Sequence, residues 1–521
     1  MALTRARLLT ELGAILAADC VHAHSVGAAP DETGRHRARA RKARLIMERL
    51  GPFHIKVGQI LATRPDFVSE VMMEEMSVLQ QEVTAEPFTA FEDVLREELS
   101  GNWRRFFRSI ECEAPVGSAS LAQAYKAVLR NGEPVVVKIQ RPGIRATIYQ
   151  DMSSLRRMVN LAAKFMPPRV DAVIDIGTTL GVIFDAMKAE LDFQVEASAM
   201  DEARRAALSF RHISVPEVII ATPRIIVQSL APGTNIRDAR LADFSSRQRH
   251  AIGRDLLAFM YHGYFIERMF HADPHPGNVF VDPEQGATII DWGMIGRLDR
   301  TLSTMGMQTM LSIAQNDARG VAQGWIQMGH ATPWADIPGF TDDMTRLLPQ
   351  ARGRSLEELN YGTVLLTTVR DAAKRGIRTS PMMGLFGKSF CNIEGSVRYL
   401  APELSVVNVF REVVVDVLVE HARELVSAEQ TGRFALDAML NAMTGGDQGR
   451  GLLRDISNRD FAIKVGMTHH GARAESGASL LSAKGLALLA MAVLGGWGVE
   501  RRVRMLRQHS KIIRGLHDER G

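Results

Sequence analysis

The spacing of apolar residues along the chain is helical except in one short region. Gly51 ends a first helical segment, and Pro52 begins the next, in which apolar residues recur at helical spacing. Further α-helices are predicted at 71–81, 88–99 and 174–208, from 241 onward, and from about 294 to 426 with breaks near proline-containing turns. The pattern therefore predicts a mainly helical protein.

One region departs from the helical period and predicts a β-hairpin. A loop of small residues at 117–120 leads into a strand at 121–129, and a second strand follows at 134–140. An Asn-Gly pair between the strands is the strongest short hairpin signal in the chain. Lys138 lies near the end of the returning strand, in an otherwise apolar run.

Two more strands are predicted at 215–218 and 224–230, and a proline- and glycine-containing segment at 231–234 follows them as a hinge. A small β-rich lobe, a hinge and a large helical lobe form a two-lobed, kinase-like arrangement. The predicted fold class is therefore α+β, with the candidate site between the lobes.

A second short hairpin is predicted in the helical half, from 279–281 and 287–290. Its expected register pairs Asn278 with Asp291, which brings the two side chains together at the base of the hairpin. Asp273, a few residues earlier, reaches the same point. Two carboxylates and an amide oxygen suit a hard cation such as Mg²⁺ carrying nucleotide phosphates.

These three side chains match separate roles in phosphoryl transfer. In kinases, one Asp orients or deprotonates the nucleophile, while an Asn and the Asp of a D-x-G triplet hold metal. Asp273, Asn278 and Asp291 fit those roles in that order. The alternative is that Asp, Asn, Pro and Gly only form turns here, and the paired arrangement favours a site.

Lys138 resembles the strand lysine of a kinase small lobe, which contacts the nucleotide phosphates. The alternative is an edge-strand lysine that discourages aggregation. A kinase lysine needs a glutamate from a helix, and the helical stretch at 174–208 offers Glu190 and Glu196, with Asp192 between them. Spacing alone leaves the choice open.

Polar residues near the amino terminus carry less information alone. Lys56 and Gln59 share one helix face, and solvent exposure is the default for such residues. The Arg- and Lys-rich run at 35–44 is typical of a solvated helix face, with membrane or nucleic-acid contact as the alternative.

Composition and charge narrow the class of protein. At 521 residues the chain has room for two or three domains, and 46% hydrophobic with 23% charged residues indicate a globular protein. A net charge of +4 demands no nucleic-acid partner. Three widely spaced cysteines favour a reducing compartment. Glu11 and Asp19 interrupt any signal-peptide core, so we expect a retained, cytoplasmic amino terminus.

The carboxyl end carries an uncharged run from Gly485 to Val499, followed by a basic segment. The run is shorter than the ~20 residues that span a bilayer, but it reaches that length if it extends back to 478 and Lys484 snorkels. We expect 478–499 to associate with a membrane. An interfacial helix and a helix buried against a partner subunit are the alternatives.

Several motifs together resemble the UbiB/AarF (ABC1-type) family of atypical kinases, whose members support isoprenoid-quinone biosynthesis and lipid homeostasis. The resemblance covers about residues 45–410. Its motifs are Lys56-Val57-Gly58-Gln59, Ala119-Ser120 through Gln123, Val137-Lys138-Ile139-Gln140-Arg141-Pro142-Gly143, Glu190-Leu191-Asp192-Phe193 with Glu196-Ala197, and His271 to Asn278.

The resemblance implies ATP or ADP and Mg²⁺ as cofactors. It makes Asp273 the catalytic-loop aspartate and Lys138 a nucleotide contact with Glu196 as its helix partner. The metal site would then contain Asn278, Asp291, Glu190 and Asp192. The nucleotide loop would contain Ala119, Ser120 and Gln123. Lys56 and Gln59 would belong to an extension that folds over the cleft and restricts protein substrates. In it, Gln59 would contact the nucleotide and Lys56 would add a cation near the phosphates.

These inferences divide the chain into four segments. They are a helical amino-terminal extension at 1–110, a small lobe with inserted helices at 111–232, a helical large lobe at 233–426, and a helical tail at 427–521 that carries the expected membrane segment.

The function predicted from the sequence is a Mg²⁺-dependent kinase or ATPase of the UbiB type at the inner face of the cell membrane. Its expected partners are adenine nucleotide, a membrane lipid or isoprenoid-lipid precursor, and a complex of biosynthetic enzymes. Two other functions remain open. One is a pseudokinase scaffold that senses nucleotide without turnover, and the other is a kinase for a soluble hydroxyl compound.

Overall fold

The computed structural model describes residues 2–23, 32–62, 64, 68–79, 84–163, 176–350 and 361–426. They belong to one compact unit, Met1–Gly432. The expected tail at 427–521, with its membrane segment at 478–499, lies outside the described residues. Within the described residues, no helix is both long and apolar enough to cross a bilayer.

The chain begins with four helices that precede the small lobe. They are α1 (Ala2–Ala23), α2 (Glu32–Leu50), α3 (Pro52–Leu61) and α4 (Glu70–Ser77). The predicted junction at Gly51 and Pro52 is confirmed, because Gly51 has a φ of 101° and Pro52 opens α3. The arginines at 35, 37, 39 and 41 are exposed on α2.

The small lobe is built on an antiparallel sheet with strand order β1-β3-β4-β7-β6, and β2 pairs with β3. Its elements are α5 (Glu92–Glu98), β1 (Phe107–Ile110), β2 (Gly117–Ser118), β3 (Ala122–Leu129), β4 (Pro134–Gln140), α6 (Ile144–Ala163), α7 (Ile176–Glu190), α8 (Phe193–Ala207), β6 (Val218–Ala221) and β7 (Ile225–Ser229). Two short strands of this part of the chain, β5 (Ile213–Ser214) and β8 (Thr234–Asn235), pair instead with the hairpin of the large lobe. The predicted β3–β4 hairpin is confirmed, with Val128 opposite Pro134.

The large lobe is mostly helical, as the apolar pattern predicts. Its elements are α9 (Ser246–His262), β9 (Met269–His271), β10 (Val279–Asp282), β11 (Gly286–Ile289), β12 (Ile295–Arg297), α10 (Arg300–Gln315), α11 (Ala318–Met328), β13 (His330–Ala331), α12 (Ile337–Leu347), α13 (Tyr361–Lys374), β14 (Ile377–Arg378), α14 (Pro381–Leu400) and α15 (Val406–Val426). The prediction that the chain becomes helical directly after Gly293 was wrong at 295–297, where β12 pairs with β9. The paired strands β13 and β14 lie at or beside two of the predicted breaks.

The prediction of one continuous helix at 174–208 was also wrong. The backbone of Asp192 is extended, with φ −130° and ψ 101°, and its carboxylate accepts a hydrogen bond from Gln194 N. An N-cap aspartate starts a new helix in this way. Because the helix is broken between α7 and α8, the side chains of Glu190 and Glu196 point in different directions.

The register predicted for the second hairpin was wrong by one residue. Asp282 pairs with Gly286, and Ile290 N donates to Asn278 O at 2.9 Å, so Asn278 does not pair with Asp291. Gly286 has a φ of 87°, and a Cβ there would lie 2.5 Å from His212 O. Only glycine fits this position, and it begins the returning strand one residue early.

The prediction of a strand at 215–218 was wrong for all but its last residue, because residues 215–217 connect two strands. β5 ends at Ser214 and β6 begins at Val218, and the two strands belong to different sheets. Pro216 lies between them and has no N–H with which to continue a ladder.

Three apolar cores support the architecture. One joins α1–α4 to α6 and α7. A second lies under the small-lobe sheet and includes Phe88, Phe91 and Trp103, so part of the predicted extension packs on the sheet. The largest unites α8, α9 and the helices of the large lobe.

Glu394 of α14 is a fully buried carboxylate that anchors α13. Its Oε2 accepts from Gly362 N at 3.0 Å, near the amino end of α13. Burial raises its pKa from 4.5 to about 8. The folded chain therefore holds this proton more tightly than the unfolded chain, and the stability it contributes is full below pH 4.5 and lost as the pH rises through about 8.

We expect the Glu394→Gln variant to flatten this pH dependence. The glutamine oxygen can still accept from Gly362 N, but it does not titrate. Thermal unfolding from about pH 5 to about pH 8 should therefore show a smaller loss of Tm in the variant than in the wild type. The exposed Glu403→Gln is the matched control, and parallel curves for Glu394→Gln and wild type would contradict the assignment.

Candidate active site

Lys138 lies at the centre of the candidate site because of its position in the sheet. It is on β4, between Ala124 of β3 and Ile226 of β7, so it belongs to an inner strand and is not an edge-strand lysine. Its Nζ lies 3.0 Å from Glu196 Oε1 and 2.7 Å from Asp291 Oδ1. One ammonium group thus joins the small lobe, α8 and the D-x-G triplet.

Burial and the neighbouring charges have opposite effects on the pKa values of Lys138, Glu196 and Asp291. Burial disfavours the cation of Lys138, but Asp291 and Glu196 outweigh it and raise its pKa. Burial raises the pKa of Glu196 to about 7, because Lys138 offsets only part of the cost of a desolvated carboxylate. For Asp291, Lys138 and then Lys56 outweigh burial and lower the pKa. Lys138 and Asp291 are therefore charged at neutral pH.

The predicted catalytic loop, from His271 to Asn278, is held by its own histidine. Asp273 N donates to His271 Nδ1 at 3.0 Å, and His271 Nε2 lies 3.1 Å from Ile290 O. Because Nδ1 accepts, Nε2 carries the hydrogen and donates to Ile290 O. Burial lowers the pKa of His271 and keeps this tautomer neutral. The ring therefore ties the Asp273 loop to the strand that leads to Asp291.

Asn278 and Asp291 approach the same space from the two ends of the β10–β11 hairpin. Asn278 Nδ2 donates to Asp273 O at 3.1 Å, which directs the amide oxygen away from that bond. Asp291 has a left-handed backbone, with φ 60°, a conformation that Asp and Asn tolerate better than most residues. The next residue, Trp292, is buried and donates to Ile289 O.

Lys56 reaches the site from α3, outside both lobes. It is 8% exposed, and its Nζ forms an ion pair with Glu190 Oε1 at 2.6 Å. Burial disfavours the Lys56 cation, but Glu190 and Asp273 raise its pKa above the usual value. The two glutamates of α7 and α8 therefore have different partners: Glu190 pairs with Lys56, and Glu196 with Lys138.

A cleft between the lobes brings most of the candidate residues together. Its polar side is lined by Lys56, Ala119, Ser120, Lys138, Glu190, Glu196, Asp273, Asn278 and Asp291. Its adjoining side is more apolar and is lined in part by Val116, Val136, Leu230, Ala231 and Phe280. Phosphates and a flat aromatic base would find matching surroundings on the two sides.

Three candidate residues lie outside this lining. Gln59 Nε2 donates to Leu79 O at 3.1 Å. The buried Gln123 donates to Glu86 O and accepts from Glu86 N, which fixes the strand to the segment before α5. Asp192 caps α8. In the structure these three side chains contact other protein groups, and their roles in binding nucleotide or metal remain predictions.

The residues present fit a metal that arrives with phosphates. Within the described part of the chain, no cluster of three His, Cys, Asp or Glu side chains could hold a metal ion alone. The cleft instead offers the Asn278 amide oxygen with the Asp291 and Glu190 carboxylates. Mg²⁺ is usually bound by one or two carboxylates together with substrate phosphates.

The sequence did not indicate two residues that contact the Asp273 carboxylate, and it gave no role to Arg141, which contacts the small-residue loop at 117–120. Lys388 Nζ lies 3.2 Å from Asp273 Oδ2, and Asn392 Nδ2 donates to Oδ1 at 2.6 Å. The two residues are four apart and so share one helix face, but nothing in the sequence indicates that this face contacts Asp273. Arg141 donates to Ala119 O and to Ser118 Oγ, so it holds the loop that lines the cleft.

Comparison of the sequence with known proteins identifies the family. The family model for the ABC1 atypical kinase-like domain matches residues 78–324, and the model for the UbiB helical domain matches residues 344–405. The probable protein kinase UbiB of Azotobacter vinelandii is 32% identical over 382 residues, which are 70% of this chain and 69% of that protein. The probable protein kinase UbiB of Marinobacter nauticus is 30% identical over 378 residues, 70% of this chain and 68% of that protein.

Among solved structures, the complex of Rv3197 with erythromycin from Mycobacterium tuberculosis covers 72% of this chain and 99% of that one, at 21% identity and a TM-score of 0.46. The family assignment rests on the sequence matches, and with the observed architecture they confirm the predicted α+β, kinase-like fold class. The chain belongs to the UbiB family of ABC1-type atypical kinase-like proteins.

Proposed function

We propose that the protein is a Mg²⁺-dependent kinase or ATPase that binds ATP in the interlobe cleft. The observation that carries the proposal is the contact of one lysine, Lys138, with both Glu196 and Asp291, on a cleft that Asp273 and Asn278 also line. In kinases these parts must be in place together for phosphoryl transfer. If these residues only stabilised the fold, they would not need to line a common cleft.

The nucleotide would lie with its phosphates near Lys138 and its base in the apolar side of the cleft. Ala119 and Ser120 line the polar side, and small residues allow backbone N–H groups to approach phosphates closely. Leu230 and Ala231, at the start of the predicted hinge, line the apolar side. ATP is the nucleotide expected for turnover, and ADP would occupy the same cleft.

Asn278 and Asp291 would hold Mg²⁺, with Glu190 close by. The ion supplies charge neutralisation to the β- and γ-phosphates. Asp273 would accept the proton of the acceptor hydroxyl or of water. The acceptor oxygen then bonds to the γ-phosphorus, the bond from that phosphorus to the bridging oxygen breaks, and ADP leaves. Although burial disfavours the charged form of Asp273, Lys388 and His275 outweigh burial and lower its pKa, so the carboxylate is ionised and can accept a hydrogen bond that orients the acceptor.

The acceptor would be a small molecule, a lipid or water. Support comes from the buried Lys56–Glu190 pair, which lies on the cleft and joins α3, a helix outside the two lobes, to α7 of the small lobe. A polypeptide segment would have to displace this pair to reach Asp273. The uncharged run at 485–499 and the basic segment after it support a location at the inner face of the membrane, near isoprenoid-lipid precursors and the enzymes that process them.

Phosphate release from ATP tests the proposal. We expect purified full-length protein to release phosphate with Mg²⁺, to lose release in EDTA, and to release it faster with liposomes that contain anionic phospholipid. Release that is independent of liposomes, and unchanged when residues 478–521 are removed, would favour a kinase for a soluble compound. Binding of Mg²⁺-ATP without release would favour the nucleotide-sensing scaffold, and absence of binding would contradict both.

A further inference from the structure

One helix of the large lobe, α14, contacts the catalytic loop through four polar side chains. Lys388 and Asn392 contact the two carboxylate oxygens of Asp273, at 3.2 Å and 2.6 Å. Two serines bind the neighbouring backbone: Ser389 Oγ donates to His271 O at 2.6 Å, and Ser396 Oγ donates to Pro274 O at 2.9 Å. Residues spaced by three, four, seven or eight along a helix share one face, so this face of α14 follows the loop.

The carboxylate of Asp273 depends on this helix for its orientation. The loop itself binds the backbone of Asp273, through His271 Nδ1 and Asn278 Nδ2. In the part of the chain that the structure describes, the hydrogen bond and the ion pair of its carboxylate both come from α14. The backbone of Asp273 is therefore placed by its own segment, and its side chain is placed by another.

We infer that Lys388 and Asn392 are positioning residues for the reaction, an inference that rests on the proposed function. Asn392 fixes one carboxylate oxygen and Lys388 holds the other, so the rotamer that faces the acceptor is set before substrate binds. Lys388 also keeps a positive charge beside the point where the γ-phosphoryl group is transferred. Preset geometry of this kind acts on the chemical step and leaves ground-state binding nearly unchanged.

A purely structural role for Lys388 makes a different prediction. The serines that bind His271 O and Pro274 O already attach α14 to the loop backbone. If the Lys388 ion pair only added to that attachment, its loss would lower stability, and turnover would follow the amount of folded protein. The positioning role requires a fall in kcat at constant folded fraction, with the KM for ATP preserved.

The test compares Lys388→Met, Lys388→Arg and Asn392→Ala with wild type in the Mg²⁺-dependent phosphate-release assay, on full-length protein. We expect Lys388→Met and Asn392→Ala each to lower kcat by about 10- to 100-fold, with the KM for ATP changed by less than about twofold. Lys388→Arg should recover most of the loss because it keeps the charge. The exposed Lys374→Met, on the neighbouring α13, is the matched control.

Two outcomes with an active wild type would overturn the inference and leave the proposed function standing. One is a Lys388→Met variant with unchanged kcat, and the other is a loss that Lys388→Arg does not recover. A wild type that binds Mg²⁺-ATP but releases no phosphate would contradict the proposed function instead.

In that last case a double-mutant cycle in Tm between Lys388→Met and Asp273→Asn tests the positioning contact. Non-additive changes in Tm would confirm the contact on which the inference rests, and additive changes would overturn the inference.

Discussion

Replacing Asp291 with asparagine should lower ATP turnover by at least about 10³-fold, which is a rise of about 4 kcal/mol in the activation barrier. Asp291 is expected to hold the metal and already contacts Lys138 at 2.7 Å. The amide keeps one oxygen but loses the charge that binds Mg²⁺. Because Asn tolerates the left-handed conformation that Asp291 adopts at φ 60°, the backbone of the loop should be preserved.

Asparagine is therefore a sharper substitution here than alanine, which would add backbone strain to the loss of charge. The measurement is phosphate release at saturating ATP and Mg²⁺, with nucleotide binding and Tm recorded on the same samples. The exposed Asp238→Asn is the control for the chemistry of the substitution. Turnover within tenfold of wild type in Asp291→Asn would show that this carboxylate is not required as a metal ligand.

Replacing Lys138 with methionine should destabilise the folded chain by about 3 kcal/mol, in addition to removing turnover. The Glu196 side chain is only 2% exposed, and Lys138 Nζ lies 3.0 Å from its Oε1. Without the cation, Glu196 is a buried carboxylate close to a second one, Asp291. Removing one partner of a buried pair costs more than the pair itself contributes, because the remaining charge stays desolvated.

The loss in Lys138→Met should depend on pH. The pKa of Glu196 is already raised to about 7, and without Lys138 it should rise further. A raised carboxyl pKa means that stability is present at low pH and is lost as the pH rises through the folded value. Chemical denaturation should therefore show a larger deficit at about pH 8 than at about pH 6.

Two further variants separate the buried charge from the general effect of losing a lysine. Adding Glu196→Gln to Lys138→Met removes the stranded charge and should recover part of the stability. Lys126→Met, at an exposed position on the adjacent β3, should leave stability nearly unchanged. A Lys138→Met deficit that is the same at both pH values would contradict the assignment of the cost to Glu196.

Features that depend on neighbouring residues could be predicted from the sequence. The β3–β4 hairpin follows from an Asn-Gly pair between two strand-forming runs, and the α2–α3 junction follows from Gly51 and Pro52. The HADPHPGN stretch and the D-x-G triplet could be recognised because their spacing belongs to one loop and one hairpin. The two-lobed arrangement followed from the change of period along the chain.

The hairpin register and the helix break at Asp192 were missed because local features compete there. Gly286 begins a strand in a conformation that the apolar pattern does not indicate, and this moves the pairing by one residue. Asp192 lies in a stretch whose apolar spacing is helical on both sides, yet its carboxylate caps α8. Periodicity reports which face is apolar and does not report where a cap interrupts the helix.

The order of residues specifies which chemical groups this protein carries, and folding specifies which of these groups come into contact. The residues alone left Glu190 and Glu196 as candidates for the Lys138 pair; the break between α7 and α8 directs Glu196 to Lys138 and Glu190 to Lys56. Asn392 is 119 residues from Asp273 along the chain. No pattern in either segment indicates that contact, because it exists only through the packing of α14 against the catalytic loop.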